Sequence, residues 1–472
     1  MSVSGFDSKG AETNYNWFGT DMKAMAPRRR SAHGDGGVQF EDGSKVRFEV
    51  SEVMGRERRL NSGMLTDLFQ EVTAVKGEYT IDTSYGIVTA RAYHNQFITQ
   101  VRIPDLSVDS PLRNTATVAN ISDLFKIGAY NSFRIAGEYR RDESTVVGNY
   151  DGALRYTVLS GSAMLDSRLS DTVSLTNAIR FDSLTLGRSG PISAASGLTN
   201  NSFNRKINET SFNSGLVWRT TPNDTLRVTA ARGLNLPSLY NLGAFEANSF
   251  TTRPDGNFHF DLVYGSPAVS PTVVYNYELG WDHTIRSAKA KTRASVFYQQ
   301  NRDMIAYAPS FVLSGGTALL PFINYGNSDT AGVELGITGK LAPRWDWGLN
   351  YTFQIISDSY TSDDRFPQEG NNRRTPAHKA NAHLGYAEDS WDFGLDLHYV
   401  SNYQMPDITS EKTTNTRGMA NLGNYIMLEP RIGYHITPGI TAALTAQGMW
   451  SRREMTVNPV KPSALASIII RW

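Results

Sequence analysis

The chain has 472 residues, with 46 Lys plus Arg against 46 Asp plus Glu, and this charge balance argues against a nucleic-acid partner. There is no cysteine, which excludes a disulfide framework and thiolate metal sites. Aromatic residues make up 11% of the chain, so the composition is not that of a disordered protein. No run approaches the ~18 apolar residues of a membrane-spanning helix, and the first ten residues lack the pattern of a secretory signal. These tests favour a soluble protein, but they do not detect strands that cross a membrane.

The first 83 residues give the weakest pattern of the chain. They combine loop-forming residues with strand-like runs such as VQFEDGSKVRFEV, residues 38–50. We expect two to four strands in this region and no compact globular unit. The sequence therefore predicts an N-terminal region of strands and loops over 1–83 and one large β-domain over 84–472.

Three later segments alternate between apolar and polar residues. In residues 275–286, Tyr, Leu, Trp and Ile occupy most of one set of alternate positions, and Asn, Glu, Asp, Thr and Arg occupy most of the other. Residues 345–355 and 391–399 repeat this design. A period of two over nine or more residues is typical of a strand with one wet and one dry face, and helical spacing fits none of the three segments.

The connections between the predicted strands alternate between short turns and long loops. Short turns are predicted at 168–171, 220–223, 286–289, 341–344, 388–390 and 436–439. Long loops, rich in Asn, Ser, Gly, Asp and Pro, are predicted at 187–207, 236–271, 306–327, 357–376, 403–421 and 452–460. About sixteen strands can be placed from residue 84 onward, which with the earlier ones gives roughly 16–20. This pattern predicts an all-β protein, a transmembrane antiparallel β-barrel.

The alternative is a soluble all-β protein, such as a propeller or a series of sandwiches. A propeller would repeat a shared motif every ~40–50 residues, and the chain contains none. Trp345, Trp347, Trp391 and Tyr399 fall near predicted strand ends, where an aromatic girdle would meet lipid headgroups. A sheet survives in hydrocarbon only when it closes on itself, because an unpaired backbone group there costs several kcal/mol. We therefore predict a multi-pass barrel in the outer membrane of a Gram-negative bacterium.

Three segments contain sequence motifs in addition to the alternation of apolar and polar residues. They are AARGLNLPSLYNLGAF at 230–245, GSPAVSPTVVYNYELGWD at 265–282 and NYGNSDTAGVELGITGKL at 324–341. In this order and spacing they resemble the barrel of TonB-dependent outer-membrane receptors and transporters. The resemblance covers about residues 84–472. The chain differs from the family pattern at Asn235, where Arg is common, and at Ser270, Pro271 and Thr272, where Lys-Pro-Glu is common. We interpret both positions as structural anchors of loops.

The resemblance implies a family barrel of twenty-two strands, preceded by a plug domain of ~150 residues and a short energy-coupling box. Neither the plug nor the box is recognisable in residues 1–83, so the chain is expected to be a barrel fragment or one half of a split gene. The implied function is uptake of a scarce nutrient, a ferric siderophore first, then haem, cobalamin or an oligosaccharide. A passive porin is the alternative. The implied partners are the energy-coupling protein TonB through the missing plug, the barrel assembly machinery, outer-membrane lipid and lipopolysaccharide, and the nutrient itself.

Candidate binding residues lie in the longest loop, 236–271. The loop carries an aromatic cluster suited to holding a flat or partly apolar ligand, and packing within the loop accounts for the same residues equally well. The predicted ligand-binding residues are Phe245, Phe250, Phe258, His259, Phe260 and Tyr264.

Catalytic and metal chemistry is not indicated. His383 and His398 fall on inward positions of neighbouring strands and could approach each other, but such residues more often serve as hydrogen-bonding groups. The chain has no His-Glu-x-x-His and no Gly-x-Ser-x-Gly motif, so no enzyme activity, cofactor or metal site is predicted. The basic run 27–30 is interpreted as a solvated periplasmic turn.

The chain ends on SALASIIIRW, which alternates again. One parity is apolar and is predicted to face lipid, with the terminal indole at the membrane interface, while Ser467 and Arg471 point to the lumen. This pattern resembles the assembly signal of outer-membrane barrels. The predicted signal residues are Ala464, Ala466, Ile468, Ile470 and Trp472.

Overall fold

The computed structural model consists mainly of β-strands. It describes residues 2–9, 13–17, 20–24, 28–61, 64–103, 108–146, 152–192, 196–243, 245–252, 258–308, 312–314, 317–360, 370–406, 419–448 and 462–470. No helix in these ranges is long and apolar enough to cross a membrane.

The strands follow one another with few other elements between them. Strands β1–β6 are Ser2–Lys9, Thr13–Trp17, Thr20–Ala24, Arg28–Gln39, Lys45–Asn61 and Met64–Asp82. Strands β7–β13 are Ile87–Ile103, Val108–Ile127, Asn131–Val146, Gly152–Arg168, Val173–Ser189, Arg205–Arg219 and Asp224–Asn235. Strands β14–β19 are Phe245–Thr252, Phe258–Tyr264, Thr272–Ile285, Ala290–Tyr307, Val312–Ser314 and Thr317–Ala342. Strands β20–β27 are Trp345–Tyr360, His378–Ala387, Trp391–Val400, Tyr403–Pro406, Met419–Leu422, Tyr425–Thr437, Ile440–Gln447 and Ser463–Ile470.

The helical elements are short and lie in the long connections. A 3₁₀-helix covers Asn200–Phe203, helix α1 covers Leu239–Gly243 and helix α2 covers Asn371–Arg374.

One sheet of 23 strands holds most of the chain. Three of its strands, β14, β15 and β18, belong to long connections, and the others form a wall in which each strand pairs antiparallel with the next along the chain. Strand β1 pairs with β4, and β2–β3 and β23–β24 form two separate hairpins. Such a meander needs only local pairings, because each hairpin connects neighbouring strands.

The two ends of the wall differ as predicted. Between β16 and β17, and between β21 and β22, the connection is a tight turn at 286–289 and 388–390, as the sequence indicated. We call this end the turn end, and the opposite end, which carries the long connections, the outer end. The turn at 40–44 shows how short connections close: Gly43 adopts φ 82°, and the Asp42 carboxylate accepts hydrogen bonds from the Ser44 amide at 2.9 Å and hydroxyl at 2.6 Å.

The two faces of the wall also match the alternating pattern. Leu279 pairs with Val228 and Val296, and all three side chains are about half exposed on the outward face. On the inward face, Asp282 forms ion pairs with Arg227 at 3.2 Å and Arg293 at 2.9 Å. The predicted division into a dry outer row and a wet inner row is therefore confirmed on β13, β16 and β17.

Two details differ from the sequence-based expectation. The region 306–327, predicted as a loop, is largely strand, because Tyr307 pairs with Phe322 and the β17–β19 ladder continues outward past bulges near Met304. The basic residues Arg28 to Arg30, predicted to form a periplasmic turn, instead begin β4 at the outer end and pair with Met54 to Arg56 of β5. In both places cross-strand pairing prevails over local loop-like composition.

Candidate functional site

The inward face near the outer end carries the main buried apolar cluster of the described residues. Leu184 on β11, Phe203 in the 3₁₀-helix and Leu242 in α1 are 1%, 2% and 0% exposed and pack together. The cluster also includes Leu154 and Val269. The connections that carry Phe203, Leu242 and Val269 therefore fold inward against β10–β12, where these apolar side chains are buried.

Helix α1 is fixed at both of its ends. The Ser238 hydroxyl accepts a hydrogen bond from the Asn241 amide at 3.1 Å, and the Asn241 carbonyl accepts one from the Ser266 amide at 2.9 Å. The Tyr240 ring meets Phe322 of β19 edge to face, with centroids 5.6 Å apart. The LNLPSLYNLG segment, one of the family-like motifs, thus forms an inward anchor rather than a free loop.

Gly265 permits the close approach of the returning chain to this anchor. A Cβ atom at Gly265 would lie 2.1 Å from the Gly243 nitrogen and 2.5 Å from its Cα, so any side chain would force the two segments apart. The base of the intervening segment, 244–264, is therefore pinned where its two ends meet.

Arg205 at the start of β12 holds the returning segment from the wall side. Its guanidinium donates hydrogen bonds to the carbonyls of Pro267 at 2.8 Å and Val269 at 2.7 Å, and to the Ser270 hydroxyl at 3.3 Å. Hydrogen bonds from a charged donor are stronger than neutral ones. A single side chain thus fixes three polar groups of a segment more than 60 positions away in sequence.

Asn324 completes the anchor from the other side. Its Oδ1 accepts a hydrogen bond from the Ser270 amide at 2.8 Å, and its Nδ2 donates to the carbonyls of Ser270 at 3.0 Å and Asp303 at 2.7 Å. Asp303 lies in the β17 bulge with φ 57°. The second and third family-like motifs therefore meet at Ser270 and Asn324, which agrees with the interpretation of 270–272 as a loop anchor.

The predicted ligand-binding residues lie on the hairpin that these anchors support. Strands β14 and β15 pair so that Phe245 is opposite Tyr264 and Phe250 is opposite Phe260 in the backbone register, while Phe258 and His259 pair with Thr252 and Thr251. Strand β15 continues in parallel with the start of β19, where Tyr264 pairs with Pro321. The fold therefore brings all six predicted residues onto one hairpin at the outer end.

The inner face of strands β6–β11 is polar and internally paired. Arg180 donates hydrogen bonds to Glu138, Asp182 and the Ser160 hydroxyl, each at 2.8 Å. On neighbouring strands of the same face, Arg91 of β7 forms an ion pair with Glu78 of β6 at 2.5 Å. Charges of both signs alternate along this face, so it presents a hydrated surface with little net charge.

The two predicted inward histidines do not contact each other. His383 Nδ1 lies 2.6 Å from an Asp396 oxygen and its Nε2 3.3 Å from Asp346, while His398 Nδ1 lies 2.7 Å from Asn381 Oδ1. Within the described ranges, no group of three or more His, Cys, Asp or Glu side chains is arranged to hold a metal ion. Both histidines act as hydrogen-bonding groups of the wall.

The last described strand, β27, pairs with β26 and supports the predicted outward parity. Ala466 is opposite Leu444, which pairs with the outward-facing Ile432, and Ile468 is 70% exposed. Ala464 and Ile470 share this parity, and Trp472 lies outside the described residues. The assignment of these residues as an assembly signal stays a prediction.

Sequence reasoning missed the two anchoring side chains. Asn324 opens the third motif, so its position in the motif was a usable signal, whereas nothing in the local sequence marks Arg205.

An antiparallel meander with apolar outward rows, an ionic inner wall and inward-folded connections is the architecture of an outer-membrane transport barrel. A family model described as "TonB dependent receptor-like, beta-barrel" matches residues 8–447. The chain therefore belongs to the TonB-dependent receptor β-barrel family, and the predicted outer-membrane location of a Gram-negative bacterium is confirmed.

Curated relatives match a limited part of the chain. The pesticin receptors of Yersinia enterocolitica and Yersinia pestis are 24% identical over 189 residues, which is 40% of this chain. The match spans 26% of the receptor's own length.

Solved structures share the fold at low sequence identity. The FrpB iron transporter from Neisseria meningitidis superposes with a TM-score of 0.74 at 12% identity, covering 99% of this chain and 76% of that protein. The copper transporter OprC gives 0.74 at 12% identity, covering 100% and 75%. A mutant of the ferric enterobactin receptor PfeA from Pseudomonas aeruginosa gives 0.71 at 14% identity, covering 94% and 70%.

Proposed function

We propose that this barrel takes up a scarce nutrient, a ferric siderophore or a similar chelate, and that the β14–β15 hairpin contacts the ligand at the outer end. The observation that carries the proposal is the anchored hairpin at the outer end, whose two strands contain the six aromatic or histidine residues. A flat, partly apolar chelate needs such a surface, because aromatic rings supply contact area at low entropic cost.

Several proteins of similar fold support the choice of ligand class. They are named as an iron transporter, a ferric enterobactin receptor and siderophore receptors. The copper transporter OprC is equally similar in fold, so binding of a metal ion or of another chelate is a further outcome that the test must distinguish.

Energy coupling is the second part of the proposal. We infer that transport depends on the energy-coupling protein TonB, which acts through a plug domain. The alternative, a passive pore, would conduct ions without TonB. We propose no enzymatic activity and no resident cofactor.

The test measures ligand binding by the full chain folded in detergent. Quenching of tryptophan fluorescence is recorded with ferric hydroxamate and ferric catecholate chelates, then with haem and cobalamin. The double substitution Phe250→Ala/Phe260→Ala is compared with Tyr85→Ala, which removes an 85%-exposed aromatic from a tight turn at the opposite end. We expect saturable binding of an iron chelate that weakens at least ~10-fold only in the hairpin variant.

Two results would contradict parts of the proposal separately. Equal affinity in the hairpin variant and in the Tyr85 control would remove the hairpin from the site. Binding of no iron chelate, together with steady ion conductance in planar bilayers, would favour the passive pore.

A further inference from the structure

An ionic network lies on the inner face of strands β20, β21 and β22, toward the turn end. The outward row that contains Val296 continues across β19 to Phe353 of β20. Asp346 lies an odd number of positions from Phe353 on the same strand, so its side chain is on the opposite, inward face. His383 on β21 and Asp396 on β22 are paired in the ladder and share this inward face. Three neighbouring strands therefore each direct one ionisable side chain to the lumen.

A glycine lets the first of these side chains lie along the wall. Asp346 is opposite Gly385 of β21 in the ladder, and a Cβ atom at Gly385 would lie 2.8 Å from the Asp346 Oδ1. Any side chain at position 385 would therefore displace the carboxylate. Because this space is open, Asp346 extends sideways from β20 over β21 and reaches the ring of His383.

Both ring nitrogens of His383 face carboxylate oxygens. Nδ1 lies 2.6 Å from Asp396 Oδ1, and Nε2 lies 3.3 Å from Asp346 Oδ2. An ionised carboxylate only accepts hydrogen bonds, and a neutral imidazole carries a single N–H group. In a neutral ring one nitrogen lone pair would face an oxygen lone pair. Only the doubly protonated ring can donate to both carboxylates at once.

A third carboxylate increases the need for a cation at this place. Glu429 on β25 is directly opposite Asp396 in the ladder, and like charges in that arrangement repel each other. The patch therefore contains the carboxylates of Asp346, Asp396 and Glu429 on the inward side of three strands. The ring of His383 lies between the first two of them.

Three other cationic or titratable groups border the network. Arg431 of β25 is paired with Asp392 of β22, and His398 Nε2 lies 3.8 Å from the β25 carboxylate. Lys340 of β19 is opposite the β20 carboxylate and is exposed. None of these three lies between β20 and β22, so His383 is the group that joins those strands across β21.

We propose that His383 is a proton-operated bridge of the lumen wall. With both ring nitrogens protonated, it joins Asp346 of β20 to Asp396 of β22 and compensates one of their negative charges. When the ring loses one proton, the bridge opens on one side. The three carboxylates of the patch then face the lumen with one positive charge fewer beside them.

The bridge makes the charge of the lumen wall near the turn end depend on pH. An anionic iron chelate that moves through the lumen toward this end would meet a less negative wall at pH 6 than at pH 8. This consequence rests on the proposed function, whereas the bridge itself does not.

The protonation of the ring is measured by nuclear magnetic resonance of the full chain, folded in detergent and carrying nitrogen-15-labelled histidine. The His383 signals are identified by their absence from the spectrum of His383→Gln. We expect both ring nitrogens of His383 to carry protons at pH 7. In Asp346→Asn one of these protons should be lost at lower pH than in the parent, because one acceptor carboxylate has become an amide.

The effect on the wall is measured by hydrogen exchange of amides in the β21–β22 ladder, corrected for the effect of pH on free amides. The closed wall binds one proton more than the opened wall, so opening should increase up to ~10-fold per pH unit as His383 loses that proton. His383→Gln and the double substitution Asp346→Asn/Asp396→Asn should abolish this dependence. His94→Gln removes an imidazole whose Nδ1 contacts the Thr117 hydroxyl at 2.8 Å, and as the matched control it should keep the parental response.

Two results would overturn the bridge. A single protonated nitrogen on His383 at pH 7 would show that the ring is a neutral hydrogen-bonding group. An unchanged pH response in His383→Gln would assign the response to another group. If that variant does not fold, Asp346→Asn, which alters an exposed side chain, provides the same comparison. Failure of the chain to bind any iron chelate would remove the transport consequence but leave the ring measurement unaffected, so the two proposals fail separately.

Discussion

Replacing Arg205 by alanine should release the segment 266–272 without unfolding the wall. The substitution removes two charged hydrogen bonds, to Pro267 at 2.8 Å and Val269 at 2.7 Å, and the weaker one to Ser270. Each such bond contributes ~1.5–3 kcal/mol, and because Arg205 is only half-buried, water replaces part of the loss. A net cost of about 1.5–3 kcal/mol corresponds to a 10- to 100-fold increase in local opening.

Hydrogen exchange measures this opening at a defined reporter. The Ser270 amide is bonded to Asn324 Oδ1 and exchanges only when the segment opens, so its rate should rise 10- to 100-fold in Arg205→Ala. Amides in the β16–β17 ladder should keep their protection. Arg205→Lys should give an intermediate rate, because one ammonium group cannot reproduce the forked contacts of a guanidinium.

The reasoning fails if Ser270 keeps its parental exchange rate in Arg205→Ala. It also fails if the wall amides lose protection to the same degree, because Arg205 would then stabilise the barrel wall and not the segment 266–272.

Three further predictions concern the cluster, the wall and a turn. Leu242→Ala, at a fully buried position, should cost ~2–5 kcal/mol in urea unfolding of the inward segment, as large-to-small core changes do. Arg180→Met should lower the thermal unfolding temperature more than Arg180→Lys, because it leaves Glu138 beside a second carboxylate without a cation. Hydrogen bonds from Ser44 hold the pKa of Asp42 below its ordinary value, so the turn should stay ordered above pH 4 and loosen as pH falls through that lowered pKa. Nuclear magnetic resonance of the Ser44 amide follows this transition, which Asp42→Asn should abolish.

The wall could be predicted from the sequence because its rules are local. Alternation at 275–286 placed Leu279 outward and Asp282 inward, and the tight turns at 286–289 and 388–390 were located from composition. The errors fall where pairing with another strand, and not local composition, decides the structure. Residues 306–327 carry loop-like composition, yet Tyr307 and Phe322 pair as strands.

The site could be predicted only in outline. The motifs located the long connection and its neighbours, but they did not show that the connection folds inward. That arrangement depends on contacts across large sequence separations, such as Arg205 with Val269 and Ser270 with Asn324. A single sequence without aligned relatives offers no signal for such pairs.

The wall and the inward segment are held by different interactions, and this division bears on function. The wall is stabilised by a backbone ladder that runs from strand to strand, so losing one side chain leaves most of it intact. The segment 266–272 is held by the hydrogen bonds of Arg205 and Asn324 and by burial of Val269 in the apolar cluster. Its opening free energy is therefore much smaller than that of the wall. On the proposed function, a ligand bound to the hairpin would shift that segment at the cost of these few contacts, while the membrane-spanning wall keeps its register.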